Sequence, residues 1–134
     1  MQNKVYPLVI TTRLAETRRF YLESLGCQAV FDLDHYLQVR FGADPDGPEL
    51  AFMASESPPL GQQEPFAGAG LTFSLPVESA DARHAALVER EVPIASAPSD
   101  KPWGWRSFVA VDPNGVQLDF FHELADAAPA NAAG

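Results

Sequence analysis

The feature that most constrains this chain is an order of predicted elements that occurs twice. In the first half, an apolar run at 5–10 predicts a strand, a segment from Thr12 to Gly26 predicts a helix, and three short strands follow. The same order returns after residues 55–68, whose Pro, Gly, Ser and Gln content predicts a linker. One repeat of about 60 residues is too few-fold for a solenoid, so we expect two α+β modules paired through their sheets.

Strand and helix bounds follow from apolar periodicity and turn residues. Predicted strands of the first module, residues 4–54, are 5–10, 29–33, 36–41 and 49–53, and Thr12 is its candidate N-cap. Predicted strands of the second module, residues 69–123, are 70–77, 92–95, 105–111 and 116–122. Its helix should run from an N-cap at Ser79 to about Arg90, with the following residues toward the sheet: Ala82, Ala85, Ala86 and Val88. Residues 98–102 should be a loop and 124–134 a disordered tail.

Composition limits the partners of the chain. Nine basic and eighteen acidic residues give a net charge of −9, which repels phosphate backbones and anionic lipid, so we expect no nucleic acid and no membrane partner. A single cysteine, Cys27, excludes an intrachain disulfide and suits a reducing compartment. No stretch approaches the roughly 20 apolar residues that a membrane helix needs. These observations predict a cytoplasmic protein.

Three segments carry a resemblance to a known superfamily. VYPLVITTRLAETRRFYLESLG resembles the opening strand and helix of glyoxalase/bleomycin-resistance/extradiol-dioxygenase (vicinal oxygen chelate) modules, where an FY pair precedes Leu-Gly. ESADARHAALVEREVPI and KPWGWRSFVAVDPNGVQLDFFHE are similar to the second module, which ends in an Asp-Pro-Asn/Asp-Gly hairpin. The resemblance covers residues 4–123. It implies two βαβββ modules whose curved mixed sheets enclose a cleft, commonly in a homodimer.

The resemblance also implies where metal ligands would stand. Metal-dependent members place one ligand on the first and fourth strands of each module, and these positions fall at Tyr6, near Phe52, and at Thr72 and Asp119. Only Asp119 is a good donor for a divalent metal. The three histidines do not complete the set. His35 is predicted to lie in a turn and His84 on the second helix, and His122 should lie on the strand face opposite to that of Asp119. We therefore expect no metal and no cofactor.

Strand parity suggests what such a cleft would contain instead. Gln117, Asp119 and Phe121 should share one face of the last strand, the concave one, and Val116, Leu118 and Phe120 the other. Trp103-Gly104-Trp105-Arg106 suits an aromatic rim, although either tryptophan could equally fill the core or cover a dimer seam. Asp119 could anchor a ligand, or pair with an arginine such as Arg40 or Arg106. The candidate ligand-binding residues are Tyr6, Phe52, Trp103, Trp105, Arg106, Asp119 and Phe121.

Three functions are compatible with these residues. The first is a metal-independent protein that binds a small molecule and sequesters a cationic or aromatic drug-like compound. The alternative is an enzyme of the same superfamily, a lyase, isomerase or dioxygenase, either with Asp119 as its general base or with an unrecognised metal site. A metal site displaced to Asp119, Glu49 and His122 is disfavoured, because a one-residue slip sends side chains to the opposite face.

Overall fold

The computed structural model describes residues 4–55 and 64–125. The chain divides between Ala69 and Gly70 into two compact units. Each unit contains one open, curved, four-stranded mixed sheet with a helix packed on one face, so the fold is α+β, as predicted. Most of the predicted 55–68 linker and of the 124–134 tail lies outside the described residues.

The first unit contains four strands and one helical segment. Its elements are β1 (Leu8–Thr11), α1 (Leu14–Arg19), a wider π turn (Phe20–Ser24), β2 (Gln28–Asp32), β3 (Tyr36–Arg40) and β4 (Glu49–Ala54). The strand order is β1-β4-β3-β2, and only the β1–β4 pair is parallel. Each predicted strand of this unit is present, with ends displaced by one to three residues.

The second unit repeats this arrangement. Its elements are β5 (Thr72–Pro76), α2 (Ala80–Glu89), β6 (Ile94–Asp100), β7 (Trp105–Val111) and β8 (Gln117–Glu123). The order is β5-β8-β7-β6, with β5 parallel to β8. Pro76 ends the edge strand β5, where the missing backbone N–H is tolerated. Asp112 organises the β7–β8 turn, since its Oδ1 accepts the backbone N–H groups of Asn114 and Val116, each at 2.8 Å.

In the first unit, the core lies between the sheet and the α1–π segment. Tyr21 is fully buried, and its ring lies 4.8 Å from that of Phe52 on β4. Register places Leu37 of β3 beside Phe52, and Val9 of β1 on its other side. Fully burying side chains of this size contributes about 1.5–3 kcal/mol each. This packing identifies the face of the sheet that the helix covers.

The core of the second unit lies between its sheet and α2. Phe108 and Phe120 stack at 5.3 Å, His84 contacts Phe108 at 5.2 Å, and the Arg83 guanidinium lies 5.7 Å from the centre of the Phe120 ring. Leu87 completes the inward surface of the helix and is fully buried.

The prediction of which α2 residues face the sheet was therefore wrong. Ala82 and Ala85 are exposed and Val88 is 49% exposed, whereas Arg83 and His84 lie against the phenylalanine rings. The apolar stem of a long side chain such as Arg83 can cover a phenylalanine ring, so the face of α2 toward the sheet does not require the alanines.

Of the two N-caps predicted for the helices, one is confirmed and the other is wrong. Ser79 is the N-cap of α2, and its Oγ accepts the Ala82 N–H at 3.1 Å. Thr12 does not cap α1, because the N-cap is Arg13, whose N–H donates to Oγ1 of Thr11 at 2.8 Å.

The predicted loop at 98–102 is largely the end of a strand. β6 continues to Asp100, and Pro98 is accommodated because β6 is an edge strand with register shifts on both sides of Ser96.

Candidate functional site

The face of the second sheet opposite α2, here called its helix-free face, carries an aromatic stack. The Trp105 and Phe121 rings lie 3.7 Å apart and are inclined by only 10°. Their strands are paired, with Ser107 opposite Phe121 and Trp105 opposite Glu123, so the rings meet diagonally across β7 and β8. Both side chains are half-buried, and each ring covers one face of the other.

Trp103 extends this group of rings beyond the strand. Its ring contacts Trp105 edge to face at 6.3 Å and is 54% exposed. The turn before β7 depends on Gly104, which has a φ of +92° and whose carbonyl accepts the Leu124 N–H at 2.9 Å. The structure thus brings together Trp103, Trp105 and Phe121, three of the candidate ligand-binding residues.

Asp119 lies on the same face, one alternation before Phe121. Its Oδ2 accepts a hydrogen bond from Oγ of Ser74 on β5 at 3.0 Å. Within the described ranges, Asp119 takes part in no salt bridge; Arg40 and Arg106, the arginines considered as its partners, are paired elsewhere. The sheet therefore holds a half-buried carboxylate with a neutral partner beside aromatic rings.

Ser107 adds a polar atom that sequence reasoning missed. Its Oγ is buried and, within residues 4–55 and 64–125, has no hydrogen-bond partner. Register places it on the helix-free face, between Trp105 and Val109 on β7 and opposite Phe121. Strand alternation from Trp105 would have placed Ser107 there, but nothing in the sequence marks its hydroxyl as unpaired.

Arg106 does not belong to this face. It points to the helix side, where its guanidinium donates to Asp81 at 2.8 and 3.0 Å and to Asp100 at 2.9 Å. Hydrogen bonding to Asp81 and then to Asp100 raises the pKa of Arg106, and the bond from Arg106 lowers the pKa of Asp81. The expectation that Arg106 binds ligand beside Trp105 is corrected, because successive residues of a strand point to opposite faces.

The helix-free face of the first sheet carries a hydrogen-bonded chain. The Tyr36 hydroxyl donates to Oε1 of Gln38 at 2.7 Å, and Nε2 of Gln38 donates to Oε1 of Glu49 at 2.6 Å. Burial raises the pKa of Tyr36, and the neighbouring Tyr6 adds to this effect. Sequence reasoning missed this chain, because Gln38 meets Glu49, 11 positions away, only through the pairing of β3 with β4.

Two cations complete the surroundings of Glu49, whose side chain is fully buried. Its Oε2 lies 3.0 Å from Nζ of Lys4 and 3.1 Å from both Nε and Nη2 of Arg40. Burial alone would raise the pKa of Glu49, but the hydrogen bonds from Gln38, Lys4 and Arg40 outweigh it and hold the pKa below its ordinary value.

Phe52 is not where the sequence placed it. It packs on Tyr21 under the helix, so the β4 residues on the helix-free face are Glu49, Ala51 and Met53. The count along β4 was wrong by one residue, and a slip of one reverses the face of every side chain.

The positions implied for metal ligands do not fit a divalent ion. Tyr6 offers only a phenol oxygen, and Phe52, which is fully buried, has no donor atom. Glu49, on the proper face of β4, has both oxygens taken by Gln38 and two cations. Among the described residues, no group of three His, Cys, Asp or Glu side chains is arranged to hold a metal.

The remaining candidates lie apart from the aromatic face. Nδ1 of His122 accepts the Ala80 N–H at 2.8 Å at the beginning of α2, so it faces the helix and not Asp119. His84 packs on Phe108, and His35 is exposed in the β2–β3 turn. That turn borders an open groove of about 530 Å³ lined by Asp32, Leu33, Asp34, His35, Tyr36 and Met53.

Comparison with known proteins identifies the family. The profile of the glyoxalase/bleomycin resistance protein/dioxygenase superfamily matches residues 5–120, and the chain belongs to that superfamily. No curated protein matches the sequence. No helix in the described parts of the chain is long and apolar enough to cross a membrane.

Solved structures of the superfamily share the fold. A glyoxalase/bleomycin resistance protein/dioxygenase from Nocardioides is 22% identical with a TM-score of 0.73, over 96% of this chain and 89% of that one. A superfamily member from Sphaerobacter thermophilus is 25% identical with a TM-score of 0.70, over 92% and 99%. A glyoxalase/bleomycin resistance protein from Streptomyces is 25% identical with a TM-score of 0.65, over 86% and 96%.

Proposed function

We propose that this protein binds a small cationic, aromatic molecule without a metal ion, on the helix-free face of its second sheet. The observation that carries the proposal is the Asp119 carboxylate, which among the described residues has a hydroxyl but no cation as its partner, on the same face as the Trp105–Phe121 stack. A planar cation would lie over the rings and donate to the carboxylate, combining stacking with a charge-assisted hydrogen bond.

The arrangement favours binding over a metal-dependent reaction. The aromatic rings are apolar, and the Asp119 carboxylate on the same face is the polar group that would fix the orientation of a ligand. Sequestration of a drug-like compound by stoichiometric capture is the role we infer. The cleft and homodimer implied by the family, and the cytoplasmic location, remain predictions.

Binding is tested with a matched pair of probes, benzamidinium and the neutral benzamide, titrated while tryptophan fluorescence is followed. Both tryptophans, Trp103 and Trp105, lie at the proposed site. Asp119→Asn should lower the affinity for benzamidinium by about 10- to 100-fold, the range of a hydrogen bond to a charged group. The affinity for benzamide should change by less than about twofold. Glu89→Gln, which removes an equal charge from the exposed last residue of α2, is the control.

Three outcomes would contradict the proposal. Benzamidinium could fail to bind saturably, or Asp119→Asn could bind it as tightly as the original protein. Elemental analysis could find one retained ion per chain after incubation with nickel, zinc, iron(II) or manganese. The last result would revive the enzymatic alternative, as would turnover of a carbonyl substrate that Asp119→Asn abolishes.

A further inference from the structure

A lysine lies on the helix-free face of the second sheet, beside the aromatic stack. Nζ of Lys101 donates to Oγ of Ser99, and the backbone oxygens of Ser99 and Ser107 lie 3.5 Å from it. Ser99 stands opposite Ser107 in the pairing of β6 with β7. All these acceptors are neutral, and within the described part of the chain Lys101 takes part in no salt bridge. The positive charge of Lys101 therefore has no acidic partner there.

The backbone fixes the place of Lys101. Its N–H donates to the Trp105 carbonyl at 2.6 Å, and its own carbonyl accepts the Gly104 N–H at 3.0 Å, which closes the turn that leads into β7. The preceding residue, Asp100, is bound by Arg106 on the helix side. Because successive residues of an extended chain point to opposite faces, Lys101 points to the helix-free face. Its side chain is half-buried and adjoins Trp105.

Lys101 and Asp119 are too far apart to form an ion pair. Nζ of Lys101 lies beside Ser107 on β7, and Asp119 lies one strand further across and two residues further along, since Ser107 pairs with Phe121. With strands about 4.8 Å apart and a rise of about 3.4 Å per residue, the two charges lie on the order of 10 Å apart. This separation is similar to the distance over which salt screens charges, about 8 Å at physiological ionic strength. The face thus holds two opposite charges that do not compensate each other.

We propose that Lys101 binds an anionic oxygen group, such as a carboxylate, of the same ligand whose cationic group is bound by Asp119. The ligand is then an aromatic zwitterion with its cationic end beside Phe121 and its anionic end beside Trp105. This inference rests on the proposed function, because it names the second end of the ligand bound on that face. An anion at Lys101 gains a charge-assisted hydrogen bond where Nζ otherwise meets only neutral oxygens.

The test compares two probes with the same cationic head. The first, para-amidinophenylbutanoate, carries a carboxylate at the end of a flexible chain long enough to span the two charges. The second, its primary amide para-amidinophenylbutanamide, has a neutral end of similar size. Binding is followed by tryptophan fluorescence, because Trp105 adjoins Lys101. The butanoate should bind about 3- to 10-fold more tightly than the amide, the range of one charge-assisted hydrogen bond that is partly exposed to water.

Substitutions show which residue recognises the carboxylate. Lys101→Gln should lower the affinity for the butanoate until the two probes differ by less than about twofold, whereas Lys101→Arg should keep the preference because it keeps the charge. Asp119→Asn should lower the affinity for both probes by the same factor. Arg19→Gln removes an equal charge from the exposed last residue of α1 and should leave the preference unchanged.

The role of Lys101 and the role of Asp119 fail on different results. A butanoate that binds no better than its amide, a preference that survives Lys101→Gln, or one that Arg19→Gln also removes would overturn the role of Lys101, even if benzamidinium binds through Asp119. A preference that depends on Lys101, together with affinities that Asp119→Asn does not change, would support the anionic site and refute the Asp119 anchor. Absence of saturable binding by either probe would overturn both.

Discussion

Replacing the buried carboxylate of the first sheet by its neutral isostere, Glu49→Gln, should destabilise the first unit by about 2–4 kcal/mol at pH 7. The substitution keeps the volume of the side chain but removes the charge that compensates Lys4 and Arg40. Removing one partner of a fully buried ion pair costs about 3–5 kcal/mol. Lys4 and Arg40 keep 25% and 22% of their side-chain exposure, so water compensates part of their charge and we discount the estimate.

The loss of stability caused by Glu49→Gln should become smaller at low pH. The pKa of Glu49 is lower in the folded protein than its ordinary value, because the hydrogen bonds from Gln38, Lys4 and Arg40 exceed the effect of burial. A lowered folded-state pKa contributes stability that is complete above the unfolded-state pKa of about 4.3 and is lost as the pH falls through the folded-state value. The difference between the original protein and the variant should therefore be constant near neutrality and shrink below about pH 4.3.

The distribution of aromatic residues allows each unit to be followed separately. All three tyrosines precede Ala69 and both tryptophans follow Gly70. Urea unfolding monitored by tyrosine-ring NMR reports the first unit, and tryptophan fluorescence reports the second. Glu89→Gln should leave both transitions unchanged. A tyrosine transition that Glu49→Gln does not move at pH 7, or a difference that persists unchanged at pH 3, would refute the reasoning.

Two further predictions concern the helices of the molecule and use urea unfolding of paired variants. Leu87→Ala should lower the free energy of unfolding by about 2–5 kcal/mol, because it leaves a cavity at a buried position on α2. Val88→Ala, at a half-exposed neighbouring position, should lower it by less than about 1 kcal/mol. Equal losses would contradict the observed inward face of α2. Ser79→Ala should cost about 1 kcal/mol through loss of the Ala82 N–H bond, while Thr12→Ala, which removes no cap, should stay within about 0.5 kcal/mol; a larger loss at Thr12 would restore it as a cap.

Strand faces could be predicted from the sequence wherever a turn fixes the count. The Asp112–Gly115 turn determines where β8 begins, so alternation correctly placed Asp119 and Phe121 on one face and Phe120 on the other. The position on β4 was taken from the alignment to the family and was not counted from the preceding turn at 44–48, and Phe52 was placed on the wrong face. Arg106 was grouped with Trp105 by proximity in sequence, although alternation within β7 already separated them.

Contacts between side chains on different strands could not be predicted from the sequence. Ser74 meets Asp119 only because β5 and β8 pair in parallel with one particular register, and that register depends on packing rather than on local residue type. The partners of Glu49 are determined in the same way, by the β3–β4 register and by the N-terminal segment that brings Lys4 beside β4. Such pairs require the folded sheet before they can be identified.

The helix-free faces of the two sheets hold Glu49 and Asp119, and the partners of these two carboxylates decide which is available to a ligand. Glu49 has both oxygens engaged by an amide and two cations, so a ligand group there would have to displace an existing ion pair. Asp119 has one neutral hydroxyl partner, and covering it with an uncharged ligand would remove hydration without replacing it. A cation avoids that cost because it brings the missing charge. The second sheet should therefore select for a positively charged group of the ligand.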